Sequence, residues 1–260
     1  MRAKVNINIA DIRKEASQLA ERTNQVLYNE LVDILETGKT MSRVMSLDNY
    51  EGWIGNQFLS PHENYTGDGP FRVAVALANG YEAPDRLSRR ITLLPYGCQL
   101  YGKADGSWLE IECQRYGRYY ISDADTISSV NLKFPRENMR ELLVREVERF
   151  LGVPYLWGGR SFFGVDCSGL SGLIAARYGV ILPRDSRDQI SAGIHISRDD
   201  INTGDLLFFP GHVALAIDNK LYIHSSRTNG GVAYNSLDHS SPLYNSAHDT
   251  NFVDARRIFN

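Results

Sequence analysis

Between Tyr155 and Leu170 the chain reads Tyr-Leu-Trp-Gly-Gly-Arg-Ser-Phe-Phe-Gly-Val-Asp-Cys-Ser-Gly-Leu, a glycine-rich loop that gives way to a helix at Asp166 and Cys167. Beyond it, Leu170, Leu173, Ile174 and Arg177 recur at helical spacing and Gly179 supplies a stop, so a helix is expected with Cys167 in its first turn. Gly169 and Gly172 are poor helix formers, and their presence predicts close approach by another backbone. A thiol at a helix start lies in a field that favours the thiolate, the nucleophilic form. Cys167 alone also fits a buried structural thiol, among the most buried of residue types.

Two histidines downstream change that balance. The runs Pro210 to Ile217 and Leu221 to Ser226 are separated by Asp218-Asn-Lys220, which reads as a hairpin with a three-residue loop. In that register Ile217 faces Leu221 and Ala214 faces His224, so His212 and His224 share one face as a diagonal pair. A slip of one residue would put them on opposite faces. Two imidazoles on one face after a helix-start cysteine suit a nucleophile, a base and a group that orients the base. His62, His195, His239 and His248 are read as ordinary packed or surface residues.

The ordered pieces Tyr-x-Trp-Gly-Gly, Asp-Cys-Ser-Gly-Leu, Pro183-Arg-Asp-Ser-x-x-Gln189, Gly204-Asp-Leu206, Gly-His-Val-Ala and the His224 strand resemble the NlpC family of papain-like cysteine peptidases over roughly residues 139 to 260. The resemblance implies an α+β domain, helices packed on an antiparallel sheet. It implies Cys167 as nucleophile, His212 as base and His224 as third polar residue. It also implies Tyr155, Asp166, Ser168 and Ser186 as the lining of a pocket for the N-terminal part of a murein stem peptide, cut at the γ-D-glutamyl–L-diamino acid bond.

Composition bounds the alternatives. The chain has 260 residues, 43% of them hydrophobic, enough for two or three small domains. A net charge of -3 argues against a nucleic-acid partner, and no apolar run approaches the roughly 20 residues of a membrane span. No metal-ligand spacing is present, and no cofactor is expected. Of three cysteines, Cys98 and Cys113 read as core thiols. An odd count and no visible secretory signal favour a reducing, cytoplasmic setting, and a monomer is expected.

The N-terminal half shows short apolar runs bounded by turns: Val26 to Tyr28, Leu31 to Leu35, Met41 to Met45 and Gly52 to Ile54. This is strand-and-turn grammar. Together with Ile12 to Ser17, Val26 to Glu30 and Tyr50 to Ile54, it resembles a bacterial SH3-like barrel over residues 1–62, departing from the family's usual proline at Ala16. Residues 70–128 read as a second, divergent SH3-like barrel, the peptidase domain as 139–260, and Met139 to Leu151 as an amphipathic helix with Leu142, Leu143, Val147 and Phe150 on its apolar face. The resemblance further implies that Glu15 receives a substrate's terminal ammonium, with Tyr155 and Asp166, and that Tyr50 closes the pocket. Two rival readings stand beside this one: an amidase or acyltransferase on the same core, and an inactive wall-binding protein.

Overall fold

A computed structural model of the chain describes residues 1–62, 68–129 and 138–259. Parts of the Pro61 to Pro70 boundary and of the Ser128 to Asn138 linker lie outside the described residues. The chain divides into two compact units, Met1–Leu132 and Lys133–Asn260.

In the first unit the predicted apolar runs fall on strands Arg22–Leu27, Leu31–Thr37, Met41–Ser46 and Glu51–Gly55. They belong to a seven-stranded sheet whose edges are Arg22–Leu27 and Leu59–Pro61, so its pairings run open and do not close into a ring. Val5, Ile12, Val26, Val32, Val44 and Ile54 form its core, each at most 1% exposed. Burial of such side chains contributes about 1.5–3 kcal/mol apiece. Residues from Pro70 to Ser128 build sheets of five and three strands. The two halves bond directly: Asn8 donates to the Leu93 carbonyl, Tyr116 Oη to Asn8 Oδ1, and Asn29 to the Gln99 carbonyl.

One turn occurs twice. Lys14 N–H donates to Glu21 and Ala20 N–H to Ser17; Glu82 N–H donates to Arg89 and Ser88 N–H to Asp85. Matched bond for bond, Pro84 stands in the second turn where Ala16 stands in the first.

The second unit carries a six-stranded antiparallel sheet in the order Ile194–Ile196, Asp254–Arg257, Leu206–Phe209, His212–Ala216, Leu221–Ser226, Gly231–Ser236. Leu207, Phe209, Ala214, Ala216 and Tyr222 fill one face. By alternation Phe208, Val213, Leu215 and Ile223, also buried, fill the other. The helix Met139–Glu148 buries Leu143 and Val147, but Leu142 is 41% exposed and is not part of the apolar face assigned to it from sequence. The helix also ends at Glu148, short of Leu151, which is exposed.

The second helix is Cys167–Arg177, stopped by Gly179 at φ +81° as anticipated. Gly169 meets its predicted neighbour: a Cβ there would lie 2.2 Å from the Gly159 carbonyl oxygen. Gly172 does not, since a Cβ would find nothing within 4 Å. No helix among the described residues is long and apolar enough to cross a membrane.

Candidate active site

Asp166 is the residue that starts the Cys167 helix. Its Oδ1 accepts from the Gly169 N–H at 2.7 Å, the side-chain cap that satisfies a first-turn amide. Its Oδ2 accepts from the Gly158 N–H at 2.8 Å and from Arg184 Nη2 at 2.6 Å, with both side chains buried. Arg184 Nη1 also donates to Ser168 Oγ at 2.7 Å. The Pro-Arg-Asp-Ser-x-x-Gln stretch is therefore a lock on this helix: fully buried Gln189 donates to the carbonyls of Ser168 and Pro183 and accepts from Ser171 Oγ. Asp166 and Ser168 are thereby both tied into the protein at the head of the helix.

Cys167, partly exposed in the first turn, has its sulfur approached by the backbone N–H groups of Ser168 and of Val213, the residue after His212. Burial, then the Asp166 carboxylate, push the thiol up to about 11, while those two amides and Arg184 oppose the rise. The helix start was expected to favour the thiolate. In this setting desolvation and the adjacent carboxylate act against the helix terminus.

The hairpin register is the one expected: Leu215 pairs with Ile223, Ala216 with Tyr222, and the Ile217 N–H donates to Leu221. His212 and His224 consequently meet, with Nε2 of the first 2.6 Å from Nδ1 of the second and their rings edge to face. Burial, then neighbouring His224, lower the His212 pKa to about 3. Burial also lowers His224 to about 4. Both shifts favour neutral rings, and a neutral His212, next in sequence to the Val213 amide that approaches the Cys167 sulfur, has the lone pair a base needs.

His248, read from the sequence as a packed or surface residue, is packed close to this pair. It stacks on Phe209 at 4.2 Å, bonds Tyr222 Oη through Nδ1 at 2.7 Å, and lies 5.3 Å, ring to ring, from both His212 and His224. The three imidazoles bring ligand atoms within 4.8 Å of one another and could hold a metal ion, though no sequence spacing announced it. His224 Nε2 lies 2.8 Å from Asn235 Oδ1, a partner that sequence reasoning also missed. The period-2 pattern would have pointed to Asn235 only with the second hairpin's register known. His62, His195 and His239 are exposed, the last two beside Asp254 and Asp249, as read from sequence.

Tyr155 is half-buried, with the Arg227 guanidinium 5.5 Å over its ring and equally over the exposed Trp157. Burial, then the Asp166 charge, raise its hydroxyl. Ser186 opens the short helix Ser186–Gln189 and is partly exposed. In the first unit, Glu15 is exposed in its turn and Tyr50 packs half-buried against the core of its sheet. Cys98 is fully buried as expected. Cys113 is only partly so, its sulfur accepting from the Tyr116 N–H.

Residues 152–251 match the model of the NlpC/P60 family. Dipeptidyl-peptidase 6 of Lysinibacillus sphaericus is 31% identical over 265 residues, covering 94% of this chain and 94% of that protein. Gamma-D-glutamyl-L-lysine dipeptidyl-peptidase of Bacillus subtilis is 34% identical over 125 residues, or 45% of this chain and 41% of the relative. A crystal structure of an NlpC/P60 family protein from Bacillus cereus superposes over the full length of both chains with a TM-score of 0.84 at 22% identity, a likeness of fold.

Proposed function

The chain belongs to the NlpC/P60 family, and on that premise we propose that it is a cysteine peptidase hydrolysing the γ-D-glutamyl–L-diamino acid bond of cell-wall stem peptides. The observation that carries this reading is the meeting of Cys167, at the head of a locked helix, with the strand that begins at His212 and presents the His212–His224 pair.

The chemistry follows from the resting protonation states. His212 takes the Cys167 proton as the thiolate attacks the γ-carbonyl, because a neutral base and a neutral thiol must exchange a proton before the sulfur is nucleophilic. The Cys167 backbone N–H, in a first turn where helix amides lack intrahelical partners, is placed to receive the developing oxyanion. Imidazolium then protonates the departing amine, and water hydrolyses the thioester. His224 holds the His212 ring throughout. Tyr155, Asp166, Ser168 and Ser186 are proposed as the pocket lining, with Asp166 and Ser168 also bonded into the clamp on the helix.

Residues 1–62 and 70–128 are proposed as two SH3-like domains. The duplicated turn, with Pro84 at the position of Ala16, supports a shared design. For Glu15 and Tyr50 as selectors of a free N-terminus, the sequence resemblance is the sole support.

Mass spectrometry of products from an L-Ala-γ-D-Glu–diamino acid peptide tests the function. Cleavage after D-Glu is expected, with Cys167→Ala lowering turnover by more than about 100-fold while the fold is kept. A Cys167→Ala protein with turnover near wild type, or a wild type that cleaves simple esters but not this peptide, overturns the assignment. Equal cleavage of N-blocked and free peptides removes the roles of Glu15 and Tyr50.

A further inference from the structure

Asn235 lies in the strand Gly231–Ser236, opposite Tyr222, while His224 lies opposite Ala233. Directly paired residues share a face and the side-chain period is two, so Asn235 and His224 project to the same side. The Asn235 amide makes three contacts. Its Nδ2 donates to the Leu243 carbonyl at 3.2 Å, and its Oδ1 lies 2.8 Å from His224 Nε2 and accepts from Asn229 Nδ2 at 3.0 Å. Turning the amide over would set its NH2 against the Asn229 NH2 and its oxygen against a carbonyl, losing both of those bonds. The Leu243 carbonyl, which can only accept, fixes the orientation.

A chain of consequences follows from that one oxygen. Oδ1 can only accept, so His224 Nε2 carries the hydrogen. A neutral imidazole has one N–H, so His224 Nδ1 is bare and accepts from His212 Nε2 across 2.6 Å. His212 then has its hydrogen on Nε2 and its lone pair on Nδ1.

We propose that Asn235 is a positioning residue for the reaction, acting through His224: its carboxamide selects the tautomers of both histidines and leaves His212 Nδ1 as the nitrogen that receives the Cys167 proton. Without it, His224 can place its hydrogen on Nδ1 and turn its ring, and the base no longer has a defined donor or orientation. The inference rests on the peptidase reading above.

The test separates the two ends of the amide. Asn235→Ala removes the acceptor and the donor; Asn235→Asp keeps an oxygen facing His224 Nε2 and loses the bond to Leu243. If the acceptor matters, Asn235→Ala lowers kcat roughly 10–100-fold, in the range typical of groups that orient a functional histidine, with KM nearly unchanged. Asn235→Asp retains most of kcat, and the acid limb of its pH–rate profile moves to higher pH because a carboxylate stabilises the imidazolium.

Nitrogen-15 NMR of the histidine rings in the full-length Cys167→Ala protein reads the tautomer directly and needs no turnover, so it distinguishes failure of this inference from failure of the peptidase reading. A protonated Nε2 on His224 is expected there, lost on adding Asn235→Ala. Equal kcat losses in the Ala and Asp variants would assign Asn235 to holding Leu243. That result, an undiminished kcat in Asn235→Ala, or a hydrogen on His224 Nδ1 each overturns the proposal.

Discussion

Asp166 clamps the nucleophile's helix, so replacing it by asparagine is the sharpest perturbation. One amide atom can remain the oxygen that caps Gly169. The other becomes an NH2 facing the Gly158 N–H and Arg184, where Oδ2 had accepted at 2.8 and 2.6 Å. Arg184, only 3% exposed in its side chain, keeps its charge and loses the Asp166 carboxylate. Leaving one member of a buried pair uncompensated costs about 3–5 kcal/mol, several times the value of a helix cap.

For a chain of this size each kcal/mol moves Tm by roughly 2–4 °C, so a fall of about 6–20 °C is expected. Adding Arg184→Met removes the stranded charge and replaces it with an apolar side chain. Arg184→Met alone should destabilise by stranding the Asp166 carboxylate, yet the double variant should be more stable than Asp166→Asn alone, which two additive losses do not allow. The assay is urea and thermal unfolding of Asp166→Asn, Arg184→Met and the double variant beside wild type. A single Asp166→Asn loss below about 1 kcal/mol, or a double variant less stable than Asp166→Asn, would refute the clamp.

Other consequences can be checked with the same material. Iodoacetamide labelling of Cys167 should accelerate with pH well beyond pH 8, since its thiol is pushed up to about 11; a rate already at plateau near pH 6 would mean a resting thiolate–imidazolium pair instead. Gly169→Ala should destabilise by about 1–3 kcal/mol through its clash with the Gly159 carbonyl, whereas Gly172→Ala, facing open space, should gain up to about 1 kcal/mol of helix propensity. Matching denaturation midpoints for the two variants would contradict the packing described. His212 and His224, lowered to about 3 and about 4 in the folded chain, take up protons in the unfolded chain first, near its ordinary pKa of about 6.5. Stability should be full above that pH and fall as pH drops toward 4, and denaturation at pH 7 and pH 5 that gave equal midpoints would count against buried neutral rings.

Where local rules decide the outcome, residue order sufficed to read it. Helical spacing and Gly179 located the Cys167 helix, and the Asp218-Asn-Lys220 loop length set the register that joins His212 to His224. A three-residue loop leaves the strands one pairing, so the alternation of side chains followed. The same rules misplaced Leu142 because apolar spacing marks a helix face without saying how wide a face the neighbours cover.

What the folded chain alone decided involves residues distant in sequence or energies set by burial. Arg184 reaches Asp166, His248 reaches Phe209 and Tyr222, and Asn235 reaches His224, each bond spanning ten or more residues whose approach depends on sheet order. The ionisation of Cys167 belongs to the same class. A helix terminus can be read from sequence, but the exclusion of water and the nearness of a carboxylate, which oppose it here, exist only once the chain has folded around the sulfur.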